Sequence, residues 1–326
     1  MQKKTKNIIK LAIGIIIAAL TIWLTFRSTD WPELRNAFNN TRWGFVLLVL
    51  PALAASYVFR VYRWVTLLSP MKKVEKSVAA PPLLTGFMMN SVFPGRLGEF
   101  ARSALLSRST GIPFVSSFAT VVVARLFDGL ALTGLTLVVM AAMWNNLSGS
   151  VRGGLIAAGF GYIVILFVLI ALRKWHEATA RIIVFPFRKL HFEKVASKIE
   201  RMLLDFATGL DILKDPQELI RVSLLTAGVW LSLCVSVIPV FYALEMPWNW
   251  YYPPLILVLA GFGMLIPTPG GAGTVHYAIG VLFPAITGIP LPQAKALAIV
   301  FHATQFIPVI IAGLLVSKGN FKLNDT

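Results

Sequence analysis

A repeated apolar segment interrupted by glycine and proline constrains this chain more than any other feature. Residues 86–98 contain Gly-Phe-x-Met and then Pro-Gly-x-x-Gly, and residues 261–273 repeat both motifs without a gap, 175 positions later (261 − 86 = 175). The motif Thr-Gly-Ile-Pro also occurs twice, at 110–113 and 287–290. A duplicated, broken apolar segment is typical of membrane proteins built from two related halves, and it indicates the substrate site.

The composition excludes an ordinary soluble domain. Hydrophobic residues make up 57% of the chain, charged residues 13%, and the mean hydropathy is +0.75, so the chain is predicted to be an integral membrane protein. The net charge of +16 comes from basic residues scattered at the ends of apolar segments, which favours anionic lipid over nucleic acid as the partner. The single cysteine, Cys234, excludes a disulfide framework and a cysteine metal cluster.

The apolar segments predict an all-α integral membrane protein, a single polytopic domain over residues 1–326. About six segments have the roughly 20 apolar residues that a transmembrane helix needs, and they are 8–26, 43–68, 115–144, 153–172, 222–244 and 293–316. The repeated pieces at 81–93 and 253–267 are shorter, and a Pro-Gly turn ends each of them or follows it within two residues, so they predict two re-entrant helical hairpins.

The distribution of basic residues predicts the topology. If lysine and arginine collect in the cytoplasm, the basic stretch 173–221 lies inside, as do both termini, while the aromatic loop 247–252 lies at the outer face of the cell (inner) membrane. The two hairpins then enter from opposite sides, so the halves 43–144 and 222–316 form an inverted-topology repeat.

The stretch 173–221 is the only sizeable segment outside the predicted membrane helices. Its apolar residues between 195 and 213 recur at helical spacing, which predicts an amphipathic cytoplasmic helix. A connector lying against the headgroups is favoured over a regulatory domain. Asp215 and Pro216 are predicted to be the N-cap and first residue of the following helix.

The first Pro-Gly turn carries a dense group of charges, namely Arg96, Glu99 and Arg102. A half-helix that begins near Glu99 would direct free N–H groups and two guanidinium groups towards the turn, an arrangement suited to a phosphate. Glu99 lies three residues from each arginine and is predicted to orient one or both of them by ion pairing. The alternative is an ordinary cytoplasmic loop whose charges face water.

Arg125 and Asp128 lie inside a long apolar run, and their i, i+3 spacing places them on one helical face. Each would cost on the order of 3 kcal/mol in the middle of the membrane, so they are expected to pair or to line a polar cavity. A functional role and a structural salt bridge both remain open.

The second turn carries no charge, and its glycines Gly270, Gly271 and Gly273 permit close backbone approach. It is not a Walker loop, because no lysine follows it and no buried strand precedes it. His276 and His302 lie near this turn and in the last helix. They are interpreted as core histidines, with a hydrogen-bonding or proton-titrating role as the alternative.

The repeat extends the candidate substrate site into the last helix. The offset of the Thr-Gly-Ile-Pro motif (287 − 110 = 177) places His302 opposite Arg125 and Gln305 opposite Asp128. No catalytic triad, thiolate zinc site or pair of carboxylates is recognisable, so the sequence indicates neither an enzyme nor a metal or cofactor.

Three motifs in this order carry a family resemblance: 94–99 with Arg102, then 125–128, then 267–273. Together they resemble the lysylphosphatidylglycerol synthase transmembrane region, a flippase-like membrane family, over nearly the whole chain. In its best-known member, the multiple peptide resistance factor, such a region moves aminoacylated phosphatidylglycerol between leaflets, and a separate cytoplasmic domain makes that lipid. This chain ends at Thr326 without such a domain, so the resemblance implies lipid translocation or handling without synthesis.

The chain departs from the family pattern at two positions. Ala124 stands where the family often has an acidic residue before the arginine, and His276 stands where it often has glutamate after the second turn. Both changes remove an acidic group from the presumed site.

The sequence therefore predicts a flippase-like protein that translocates or handles an anionic lipid, aminoacylated or polyprenyl-linked lipids among them. A transporter of small anionic solutes and a lipid-presenting partner of a separate glycosyltransferase or synthase remain as alternatives. The expected partners are an anionic lipid or lipid-linked headgroup and the membrane, and a homodimer and a separate lipid-modifying enzyme are left open.

Overall fold

The structure, a computed structural model, describes residues 15–144 and 192–322, together with scattered positions between 149 and 185. Within these residues every regular element is helical. Four helices are long and apolar enough to cross a membrane, namely Trp43–Leu68, Phe114–Met143, Pro216–Ala243 and Leu291–Ser317. They confirm four of the predicted segments. Residues 8–14 of the first predicted segment and half of the residues in 153–172 lie outside the described residues.

The described helices are separated by short connections within residues 15–144 and within residues 192–322. In chain order they are α1 (Ile15–Phe26), α2 (Trp31–Asn39), α3 (Trp43–Leu47), α4 (Val49–Leu68), α5 (Lys76–Val92), α6 (Leu97–Thr110), α7 (Phe114–Met143), α8 (Glu193–Gly209), α9 (Pro216–Ala243), α10 (Tyr252–Gly263), α11 (Thr274–Tyr277), α12 (Phe283–Thr287) and α13 (Leu291–Lys322). Helices α3 and α4 together make up the apolar span Trp43–Leu68.

The predicted start of α9 is confirmed. The Asp215 carboxylate accepts hydrogen bonds from the backbone N–H groups of Gln217 and Glu218, at 2.9 and 3.3 Å, and Pro216 is the first helical residue. A carboxylate that accepts free N–H groups stabilises a helix start, and proline fits there because its missing N–H is not needed.

Helices α5 and α6 form the first helical hairpin, and glycine allows its arms to cross in close contact. The first arm begins at Lys76, earlier than the predicted residue 81. A Cβ atom added to Gly86 would lie 2.7 Å from the carbonyl oxygen of Gly98, so neither arm tolerates a side chain at the crossing. The Asn90 side-chain oxygen accepts a hydrogen bond of 2.8 Å from the Gly98 N–H, which caps the start of α6.

The turn of this hairpin is left-handed. Gly95 and Arg96 have φ of +76° and +54°, and Arg96 is the N-cap of α6. The predicted start of the half-helix near Glu99 is therefore confirmed to within two residues, since α6 begins at Leu97.

A second helical hairpin begins with α10 and reverses through the turn between Gly263 and Gly273. Its second arm consists of α11, a π-helical turn over Ala278–Leu282, and α12. The tip of this hairpin contacts the first one, because a Cβ at Gly270 would lie 2.6 Å from the carbonyl oxygen of Ser91 in α5.

The helices of the two repeat halves pack in a reciprocal way. Helix α5 packs against α13, and α10, the counterpart of α5, packs against α7, the counterpart of α13. Helices α4 and α9 pack against each other in antiparallel orientation. The antiparallel orientation follows from three contacts along the pair: Arg42 with Ala243, Phe59 with Gly228, and Arg63 with Thr226.

Helix α8 confirms the described part of the amphipathic segment, whose residues 173–183 and 186–191 lie outside the described residues. Its end packs tightly on α7, since a Cβ at Gly209 would lie 2.5 Å from the Ser116 carbonyl oxygen. Val195 and Met202 remain exposed on another part of the helix. This apolar surface is the kind that lies against a membrane.

Candidate functional site

A buried carboxylate, Asp128 of α7, lies at the centre of a charged cluster between α4, α6, α7 and α9. Arg63 donates to Asp128 Oδ1 from Nη1 at 2.7 Å, and Arg125 donates to Oδ2 from Nη1 at 3.3 Å. The Trp230 indole N–H donates to Oδ1 at 3.3 Å. Arg60 Nη1 lies 4.0 Å from Oδ2. One carboxylate therefore connects three arginines.

Glu99 joins this cluster from the first turn of α6. Its Oε1 accepts a hydrogen bond of 2.6 Å from Nε of Arg125. The prediction that Glu99 orients Arg96 or Arg102 by ion pairing is therefore wrong. Arg96 has left-handed backbone dihedrals before the helix begins, so it does not have helical i, i+3 spacing to Glu99, and Arg102 is directed to Trp64.

Two arginines of the cluster are held by aromatic rings. The Arg102 guanidinium lies over the Trp64 ring, 4.7 Å from its centroid, and the Arg60 guanidinium lies over Phe87 at 4.9 Å. The buried Nε atoms of Arg60 and Arg102 have no acceptor among the residues that the structure describes. Cation–π contact holds these guanidinium groups in position without neutralising them.

The cluster carries a surplus of positive charge. Four arginines (Arg60, Arg63, Arg102 and Arg125) surround a space of about 10 Å³, roughly the size of a water molecule. Asp128 and Glu99 are the acidic groups paired with them, so among the described residues the cluster has a net charge of +2 (4 − 2 = 2). Arginine stays protonated in proteins, so the surplus persists unless an anion binds.

A cavity of about 820 Å³ opens beside the cluster, bounded by both hairpins and by α4, α7, α9 and α13. Arg60, Arg125, Glu99 and Asp128 reach its wall from the cluster, and Arg96 reaches it from the first turn. The rest of the wall includes many apolar side chains from α7, α10 and α13. Its volume lies in the range of small-molecule sites.

The predicted residues of the first turn are separated. Arg96 is exposed, lines the large cavity and reaches the Met264 carbonyl oxygen of the second hairpin at 3.5 Å. Arg102 is only 5% exposed and lines the small space behind Arg60 and Arg125. The two guanidinium groups therefore do not form one phosphate clamp, although both contribute charge to the same region.

The predicted residues of the second half divide between the cavity and the space behind the turn. Gly270, Gly271 and Gln305 line the cavity, so Gln305 shares it with its repeat counterpart Asp128. Gln305 also donates to the Ser236 hydroxyl at 3.1 Å.

The two histidines lie together and bond to the second turn. Their ring centroids are 4.6 Å apart. His302 Nε2 lies 3.1 Å from the carbonyl oxygen of Gly270, and the Gly273 N–H donates to His276 Nδ1 at 3.3 Å. Gly273 itself packs on Ala18 of α1. These contacts agree with the interpretation of hydrogen-bonded core histidines.

Sequence reasoning missed Arg60, Arg63 and Trp230. A usable signal was present, because two arginines at i, i+3 spacing inside the apolar segment 43–68 are rare and costly. Trp230 gave no such signal, since tryptophan is common in membrane helices.

The fold and this site define a polytopic helical membrane protein with a positively charged internal cavity. The chain belongs to the family of the lysylphosphatidylglycerol synthase TM region, which it matches over residues 8–313.

The chain is also similar in sequence to two archaeal proteins. The chain is 25% identical over 345 aligned residues to the protein named Glycosyltransferase AglD of Haloferax volcanii, which covers 94% of this chain and 54% of that protein. It is 24% identical over 232 residues to the UPF0104 membrane protein MJ1078 of Methanocaldococcus jannaschii, which covers 70% of this chain and 92% of that protein. The chain thus spans about half the length of the first relative.

Proposed function

We propose that this protein is a non-enzymatic, flippase-like membrane protein that translocates or handles an anionic lipid. The observation that carries the proposal is the 820 Å³ cavity whose wall includes Arg60 and Arg125 of a cluster with surplus positive charge. Such a site attracts an anionic headgroup, because a counter-ion stabilises an unpaired charge more strongly in a region of low dielectric than in water.

The proposed architecture is an inverted-topology repeat with both termini in the cytoplasm and two re-entrant hairpins. The reciprocal packing of α5 on α13 and of α10 on α7 supports it. The antiparallel pairing of α4 with its counterpart α9 supports it further. A two-fold axis along the membrane normal would make counterpart helices parallel, whereas an axis in the membrane plane makes them antiparallel.

In this arrangement the headgroup passes between the leaflets through the cavity while the acyl chains stay in hydrocarbon. Arg96 in the first turn would meet the phosphate first, and Arg60 and Arg125 would hold it further inside. The contact between Gly270 and Ser91 would separate for the headgroup to pass, because it closes the space between the two turns.

The test of function compares the rates at which labelled phosphatidylglycerol crosses the bilayer of reconstituted vesicles. Arg60→Gln is expected to slow translocation, while Asp128 keeps its bond to Arg63 and the fold is retained. The matched control is Arg42→Gln, which removes an exposed arginine paired with Glu245. Equal rates for wild type and Arg60→Gln would refute the proposed site.

The test of topology labels single cysteines just before the two hairpins in a Cys234→Ser background. Lys73→Cys, before α5, and Trp248→Cys, before α10, are exposed counterpart positions of the repeat (248 − 73 = 175), and they are expected to be reached by a membrane-impermeant reagent from opposite sides of oriented vesicles. Labelling of both from the same side would refute the inverted repeat.

A second candidate function is presentation of a lipid to a separate enzyme. The relative named as a glycosyltransferase favours it, because the match covers 54% of that protein. In this case the purified protein would bind the lipid without moving it, so binding without translocation in the same vesicles would favour presentation over flipping.

A further inference from the structure

We infer that the arginine cluster selects a dianionic headgroup, a phosphomonoester or a diphosphate, over a singly charged phosphodiester. This inference rests on the proposed function and specifies its substrate class. The cluster has a net charge of +2 among the described residues, so a phosphodiester would leave one positive charge uncompensated and a dianion would leave none.

The excess positive charge of the cluster follows from how its arginines are packed. Within the cluster, Arg60 and Arg102 are the arginines whose Nε atoms lack an acceptor, and each lies over an aromatic ring. Arg60 is the most distant of the three arginines around Asp128, at 4.0 Å, and Arg102 forms no ion pair with a described residue. The Trp64 ring is itself fixed, since its N–H donates to the Thr120 hydroxyl at 2.9 Å. Water stabilises the charge of an exposed arginine by hydrating it, but Arg102 is only 5% exposed. An anion in the cavity is therefore the remaining source of compensation.

The two arginines have different roles in this selection. Arg60 lines the large cavity and can donate directly to a phosphate oxygen. Arg102 lies behind the cavity wall, in the space that it shares with Arg60 and Arg125, and acts on the ligand through its charge. Because this region has a low dielectric, a charge behind the wall still distinguishes one negative charge from two.

The experiment measures binding of two lipids with identical acyl chains to the purified protein. Phosphatidic acid carries a phosphomonoester and phosphatidylglycerol a phosphodiester. At about pH 8 the phosphomonoester is doubly charged, and phosphatidic acid is expected to bind at least about tenfold more tightly. Near about pH 5 the phosphomonoester loses that second charge while the arginines keep theirs, and the preference is expected to disappear.

Arg102→Met tests the charge behind the wall. Arg102 makes no ion pair or hydrogen bond with a described residue, so its removal leaves no buried carboxylate unpaired and the variant is expected to fold. Its preference for phosphatidic acid is expected to fall towards parity, whereas Arg42→Met retains the wild-type preference. Inorganic phosphate is the third probe, and it is expected to compete weakly because it lacks acyl chains.

The outcomes separate the two proposals. Equal binding of both lipids by the wild type at about pH 8, or an unchanged preference in Arg102→Met, would overturn the inference but leave an anionic-lipid site in place. Binding of both lipids that is unaffected by Arg60→Gln would overturn the proposed site as well. Competition by inorganic phosphate as strong as that by phosphatidic acid would overturn lipid selection and favour a soluble anion.

Discussion

Asp128→Asn is expected to destabilise the protein more than any other isosteric change in the cluster. Asp128 is 8% exposed and accepts from Arg63 at 2.7 Å and from Arg125 at 3.3 Å. Loss of its charge raises the surplus of the described cluster from +2 to +3 and leaves Arg63 buried without a counter-ion. Breaking a buried ion pair from one side costs about 3–5 kcal/mol, and that is the expected loss in the free energy of unfolding.

The assay is unfolding of the purified protein in mixed micelles by increasing SDS, followed by tryptophan fluorescence. The control is Glu245→Gln, which removes the acid from the Arg42 ion pair, whose side chains are 63% and 53% exposed. An exposed pair contributes less than about 1 kcal/mol, so the control should stay near wild type. If Asp128→Asn costs no more than Glu245→Gln, the cluster is well hydrated and the argument from surplus charge fails.

The remaining predictions concern the turns and the crossing of the first hairpin. Gly98→Ala places a methyl group against the facing backbone and should lower the free energy of unfolding in SDS by about 3 kcal/mol or more. Gly134 lies in an open position, so Gly134→Ala should leave that free energy unchanged or raise it by up to about 1 kcal/mol. Gly270→Ala, at φ +55° and against Ser91, should lower the melting temperature and weaken contact between the turns, which a cross-link between the hairpins would report. His302→Leu removes the bond to the Gly270 carbonyl and should cost about 1 kcal/mol; no change in unfolding would show that the turn does not depend on it.

The parts of the fold that follow from local sequence were predictable. Apolar runs of sufficient length predicted the four long helices, and Pro94 with Gly95 predicted the break between α5 and α6. Asp215 and Pro216 gave the start of α9. Each of these features depends on residues within one or two helical turns, so neighbouring residues in the sequence are enough to predict it.

The site was predicted only in part, because its contacts join residues that are far apart in sequence. Arg125 and Asp128 were predicted from their spacing to pair or to line a polar cavity, and in the structure they do both. Arg63 pairs with Asp128 across 65 positions, and Glu99 pairs with Arg125 across 26. Local spacing suggested Arg96, Arg102 or both as partners of Glu99, but tertiary packing brings Arg125 into contact with it. Helical periodicity indicates which side chains share a face and not which helix lies opposite.

The glycine crossing of the first hairpin connects the fold to the charged cluster. Gly86 and Gly98 have no side chain, so the backbones of α5 and α6 come into direct contact at the crossing. This close packing places the first turn of α6 near α7, where Glu99 bonds to Arg125. A wider crossing would move Glu99 away, and the cluster would then hold one acid instead of two. Gly98→Ala should therefore change lipid binding together with stability, while Gly134→Ala changes neither by much. A Gly98→Ala protein that lost stability but kept the wild-type preference between the two lipids would separate the hairpin crossing from the charge balance of the cluster.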